Sequence, residues 1–235
     1  MLRFLYRQRE KKIPKRPLQL DFSIDQKFSN NLFLDVFKSG IRVITYCNSF
    51  FIPQLINAQS FAVDGTFFSS PKLFKQILTV GVFLENQFYP VFFTFLSSKS
   101  KKAYDIFFEA LKLKLDATNI FLDGKSFKID YEDALKKSIM QNFPFSSVSG
   151  CFFHFSQCLI RRLKKLSLFV KYSINKKFYT FISIIKSLAY LPVNNVNDAF
   201  VIVKECLCVI FPNACHLLFI LRKFGSVNSL PRYGI

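Results

Sequence analysis

Three apolar segments follow one another between Ser60 and Leu96 with only short breaks, and this stretch constrains the fold more than any other. SFAVDGTFF (60–68) runs to a break at SSP (69–71), QILTVGVFL (76–84) runs to a turn at ENQ, and FYPVFFTFL (88–96) completes the series. Val, Ile, Phe and Thr dominate these segments, and such side chains fit a pleated, half-buried surface. Successive strands with short connections predict an antiparallel meander. The first segment holds a single carboxylate, Asp64, followed at once by Gly65. Asp-Gly is a common turn dipeptide. The alternative is a metal ligand or catalytic acid at a strand end.

The elements around the meander narrow the choice. IRVITYC (41–47) is rich in β-branched residues and reads as a strand ahead of it. In KAYDIFFEALKLKL, Tyr104, Phe107, Phe108, Leu111 and Leu115 fall at helical spacing, with Asp105, Glu109 and Lys112 opposite. SFKID (126–130) is a short strand ending on Asp130, and YEDALKKSIMQNF makes a second helix whose Glu132 and Asp133 suit its positive N-terminal end. SSVSGCFFHF (146–155) reads as a further strand and QCLIRRLKKLSLFV (157–170) as a helix striped with Leu159, Leu163, Leu166 and Val170. From Asn175 the pattern is helical throughout, ending with HLLFILRKF.

The order β-β-β-α-β-α-β-α predicts an α/β fold: a mixed five-stranded sheet with helices on both faces and a C-terminal helical extension. That is the arrangement of an RNase H-like domain. The chain then divides into a basic arm (1–20), a lead-in segment (21–57), the sheet-containing core (58–172) and a helical segment (173–235). In such a sheet the first and fourth strands are neighbours, which sets Asp64 beside Asp130. Adjacent carboxylates repel unless a cation lies between them, and oxygen-only ligands favour Mg²⁺ or Mn²⁺. The competing reading of Asp130 is a helix N-cap. Asp123-Gly124 in FLDGKSF reads as a turn before the fourth strand.

Charge points to a polyanionic partner. Lys and Arg number 33 against 15 Asp and Glu, a net charge of +18, which favours nucleic acid over an anionic membrane surface. Residues 1–17 and 161–177 each hold seven of the cations, and Arg161, Arg162, Lys164 and Lys165 lie largely off the leucine stripe. Beside a nuclease-type site they form a phosphate-contacting surface; elsewhere such a cluster is a solvated helix face. The basic opening suits nuclear localisation. Six scattered cysteines and no secretory signal predict reduced thiols and an intracellular protein. CLCVIFPNACHLLFIL (206–221) is short for a bilayer span and contains Pro212, so a buried helix pair is expected there and no membrane anchor. Cys151 and His154 supply either half of a zinc site, which needs four ligands, or a buried structural pair.

Five blocks resemble, in order and rough spacing, the transposase domain of Mutator-like elements, the MULE family, including its FLYWCH-associated members. They are FAVDGTFFSSPKLFKQILTV, YPVFFTFLSSKSKKAYDIFFEAL, IDYEDALKKSIMQNFP, GCFFHFSQCLIRRL and SLAYLPVNNVNDAF. The resemblance implies a DDE-type nuclease and strand transferase on an RNase H-like fold, with Mg²⁺ or Mn²⁺ as cofactor and element ends and target DNA as partners. It leaves self-association open. Asp64 matches the family's first catalytic acid, Asp130 its second, and Cys151 with His154 its Cys-x-x-His element. The third acid has no match: beyond Asp133 the only acids are Asp198 and Glu205. A C-terminally truncated core is therefore expected, and a non-catalytic DNA-binding protein derived from such an element is the alternative to an enzyme.

Overall fold

The computed structural model describes residues 17–66, 69–85, 87–212, 214 and 217. Most of the basic arm and nearly all of HLLFILRKF lie outside them. Seven strands form one mixed sheet: β1 (Leu32–Lys38), β2 (Ile41–Cys47), β3 (Ser60–Thr66), β4 (Gln76–Leu84), β5 (Gln87–Leu96), β6 (Ser126–Ile129) and β7 (Ser147–Gly150). Their spatial order is β1-β2-β5-β4-β3-β6-β7. Every pairing is antiparallel except β3 with β6 and β6 with β7, which are parallel.

Five strands were expected and seven are present, because the lead-in segment adds the β1–β2 hairpin at the outer edge of β5. Arg42 fastens this addition. Its guanidinium is buried, donates to both oxygens of Asp35 at 2.6 and 2.7 Å and to the Leu20 carbonyl at 2.8 Å, and stacks over Phe22. A bidentate arginine–carboxylate pair adds geometric specificity as well as energy, and it gives Asp35 a partner within β1.

Helix α1 (Lys101–Asp116) and α2 (Asp133–Asn142) cover one face of the sheet. Ser100 caps α1, its hydroxyl accepting from the Ala103 N–H. Tyr104, Phe107, Phe108, Leu111 and Leu115 are fully buried against the sheet, as their spacing predicts. They join Phe61 and Val63 of β3, Leu78, Val80 and Val82 of β4, and Phe127 and Ile129 of β6 in one core. Phe61, Phe127 and Phe143 form a stacked series with centroids 5.5 and 5.3 Å apart.

The remaining helices are α3 (Phe152–Lys165), α4 (Phe169–Ile174), α5 (Lys176–Ser187) and α6 (Val193–Ile210). They build a second apolar cluster around Phe155, Leu159, Phe178, Ile182 and Leu207. Two boundaries differ from expectation. The fifth segment leaves the sheet at Gly150 and is helical from Phe152, because Phe155, Leu159 and Leu163 recur every four residues and are all buried. The aromatic run CFFHF imitates a strand only in composition. The following helix stops at Lys165, where Ser167 adopts φ +57° and the Leu168 N–H closes onto the Leu163 carbonyl at 2.8 Å.

At the far end Leu207, Phe211, Ala214 and Leu217 are buried, while Val209 and Ile210 are exposed. Among the described residues no helix is long and apolar enough to cross a membrane. Cys47, Cys151, Cys158 and Cys206 are free, as expected; Cys208 is disulfide-bonded, which corrects the expectation of thiols throughout.

Candidate functional site

Side-chain alternation in β3 explains its lone carboxylate. Phe61 and Val63 face the core, so Ala62 and Asp64 face the other way. Parallel pairing aligns Ala62 with Lys128 and Val63 with Ile129. The next step therefore brings Asp64 beside Asp130, one residue past the end of β6 and on the same face. Asp64 is part of the strand, paired with Thr79 of β4, and makes no turn.

The two acids sit in unlike surroundings. Asp64 is about half exposed, with 54% of its side chain accessible. Asp130 is largely buried, and this burial is the main cause that raises its carboxyl above the usual range. His154 opposes the rise, while the negative charge of Asp64 adds to it. Asp130 is not the N-cap of α2, a position held by Glu132. Its Oδ1 nevertheless accepts the Glu132 N–H at 3.2 Å, which fixes the carboxylate at the mouth of the helix.

His154 enters from the first turn of α3, with Nε2 3.6 Å from Asp64 Oδ1. Its imidazole is raised above the ordinary 6.5, first by the Cys151 thiol and then by Asp64 and Asp130, against the opposing effect of burial. For Cys151 burial acts upward, but the His154 side chain and the backbone N–H groups of Phe153 and His154 outweigh it and leave the thiol lowered. Among the described residues the buried Nδ1 of His154 has no hydrogen-bond partner. Gly150 lets this turn approach the sheet: a Cβ there would lie 2.6 Å from the Tyr131 ring. The Cys-x-x-His element thus closes over the two acids.

A second carboxylate layer lies behind Asp130, and sequence reasoning missed it. Gln76 Nε2 donates to Tyr104 Oη at 2.6 Å, and Tyr104 donates to Glu132 Oε1 at 2.8 Å. Burial raises the Glu132 carboxyl, with Asp130 adding to the rise and Lys99 opposing it. Tyr104 reads from sequence as a core position and Glu132 as a helix-dipole partner. Both are true, but only the tertiary fold joins them. The one available signal was the two-residue offset of Glu132 from Asp130.

The predicted cations fall on α3 but not at the acids. Helical geometry sets Cys158, Arg161 and Lys165 at i+4, i+7 and i+11 from His154, on one face of α3. At 1.5 Å per residue, Arg161 is about 10 Å beyond His154 along the helix. Arg161 and Lys165 are exposed, and Arg161 donates to Cys158 Sγ at 3.2 Å. Lys164 lies over the Phe169 ring, and Arg162 is partly buried. Asp198 and Glu205 are exposed on α6.

Asp64 and Asp130 fit a hard cation as a donor set, since Mg²⁺ is commonly held by one or two carboxylates with waters and substrate phosphates supplying the rest. Among the described residues no three His, Cys, Asp or Glu side chains converge as a complete protein-built metal site. Cys151 and His154 supply two of the four ligands a structural zinc site requires.

In this α/β domain, neighbouring parallel strands deliver two acids to one face, and His154 of the Cys-x-x-His turn stands beside the first of them. Residues 60–158 match the family model described as the MULE transposase domain. This stretch opens on the strand that carries Asp64, ends within α3, and contains Asp130, Cys151 and His154. No curated protein matches the chain.

Proposed function

We propose that the chain is a transposase-derived protein whose RNase H-like core binds DNA and cleaves and rejoins phosphodiesters. The observation that carries this reading is the placement of Asp64 and Asp130 on one face of adjacent parallel strands, inside the stretch that matches the MULE transposase domain. Asp64 and Asp130 would hold Mg²⁺ or Mn²⁺, which when bound neutralises charge developing on the attacking and leaving oxygens. The protein's own groups divide the remaining work. The imidazole of His154 stands beside Asp64 where a phosphate would approach, and Arg161 and Lys165 continue the positive face of α3 along its backbone. DNA contacts of this kind are sequence-independent and salt-sensitive. A nuclear location follows from the same reading, and Cys151 with His154 serves as a structural and electrostatic element of the site.

The second reading is a non-catalytic DNA-binding protein of the same origin. It is favoured by the exposure of Asp198 and Glu205 on α6 and by the lack, among the described residues, of a third side chain converging with Asp64 and Asp130. A nicking assay on supercoiled duplex DNA with Mg²⁺ decides between them. Nicking by the wild type that disappears in Asp64→Asn supports the enzyme; DNA binding with no nicking in either protein supports the second reading.

A further inference from the structure

The cleft beside Asp64 has a composition that cation binding does not explain. It has a volume of about 300 Å³, and its walls are mostly apolar. Phe83 of β4 and Phe153 of α3 are among its walls, Lys128 of β6 contributes a cation, and Asp64 and His154 stand at one side. Lys128 Nζ lies 4.9 Å from the centre of the Phe83 ring. Phe153 is 63% exposed, an aromatic ring left open to solvent at the first turn of α3, with its edge against His154.

We propose that this cleft is a subsite for one unstacked nucleobase of a DNA strand whose phosphodiester lies at Asp64 and Asp130. Flat aromatic walls match the π-face of a base without reading its identity, and base–aromatic stacking is a sequence-tolerant source of affinity for single strands. The ammonium of Lys128 beside the ring matches the adjoining phosphate, and the exposed cations of α3 continue the same charge complementarity along the strand. The volume lies at the small end of ligand pockets, about 300–1,000 Å³. It is large enough for one ring system, and stacking on an aromatic wall needs an exposed π-face, which an unpaired or extruded base supplies. The inference rests on the DNA-binding reading above but not on cleavage.

The test uses the full chain in EDTA, so that no cleavage intervenes, with a ten-nucleotide single strand carrying a central 2-aminopurine and a hairpin duplex as competitor. The fluorophore reports stacking directly by quenching. The wild type is expected to quench it and to bind the single strand more tightly than the hairpin. Phe153→Ala is expected to weaken single-strand binding about 5- to 100-fold, with hairpin binding changed less than twofold. Phe153→Trp is expected to restore quenching, and circular dichroism confirms folding of each variant, which exposure of the ring favours. Hairpin binding with no quenching, or an unchanged Phe153→Ala affinity, overturns the subsite and leaves the DNA reading standing. Absence of binding to either DNA overturns both.

Discussion

The dipeptide Asp-Gly occurs twice, at 64–65 inside the sheet and at 123–124 in the connection between α1 and β6. In the second copy Gly124 takes φ +79°, and the carboxylate is spent on the local chain. Asp123 Oδ1 accepts from the Gly124 N–H at 3.0 Å, the Phe145 N–H at 3.0 Å and the Ser146 hydroxyl at 3.4 Å. The first copy lies in register with Thr79 and Leu78 of β4, and its carboxylate projects from the sheet, half exposed, toward His154. A turn aspartate is consumed by the backbone it organises, whereas a strand aspartate on the solvent side of a sheet remains available to something else.

Four substitutions press on that difference. The largest effect is expected on activity: if the chain nicks DNA, Asp64→Asn removes about 100-fold or more of the rate, within the range that positioned catalytic groups contribute. Stability should change little, because the side chain is half exposed and the amide preserves its shape. Asp123→Asn, the same change at the turn, should leave the nicking rate within about twofold. Loss of rate in both variants would mean that neither aspartate has a role separable from folding.

Next comes stability at the turn. Asp123→Ala strips one acceptor from three donors in two chain segments, and about 1–3 kcal/mol of destabilisation is expected in urea unfolding. A smaller cost belongs to Gly124→Ala. No atom lies within 4 Å of the added Cβ, so only the left-handed backbone resists it, at about 1 kcal/mol. An unaltered midpoint in Asp123→Ala would show that Phe145 and Ser146 find water as readily as the carboxylate.

The same contrast explains what could be read before the fold was known. The meander was legible because its strands alternate and its breaks are short: Gln76–Leu84 has the predicted bounds. Asp64 was legible because an acid is conspicuous in an apolar strand. The β1 strand was not read within the lead-in segment, where Asp35 interrupts LFLDVFK and its partner Arg42 lies seven residues on, across the hairpin. Tyr104 and Glu132 were hidden for a similar reason: they lie 28 residues apart and meet only when α1 and α2 pack side by side. At Cys151–Phe155, strand and helix compete on equal local terms, and the burial of Phe155, Leu159 and Leu163 settles the outcome. Sequence carries what depends on period; pairing between distant polar groups it does not carry.

The smallest expected effect is the most direct probe of the first Asp-Gly. His154 and His216 are the only histidines, so the imidazole proton of His154 can be followed by NMR, with His216→Gln resolving the assignment. Cys151 contributes most to the raised His154 value, and Asp64 adds to it. Asp64→Asn should therefore lower the titration midpoint, by less than Cys151→Ala does, while Asp123→Asn leaves it in place. Stability follows by linkage. A His154 raised above 6.5 holds its proton more tightly folded than unfolded, so its stabilisation is complete below pH 6.5 and is lost as pH rises through the folded value. Asp64→Asn should flatten that fall in a comparison of urea midpoints across neutral pH. An identical His154 titration in wild type and Asp64→Asn would mean that the 3.6 Å approach carries no charge interaction, and the strand carboxylate would then be as solitary in solution as it looks in the sequence.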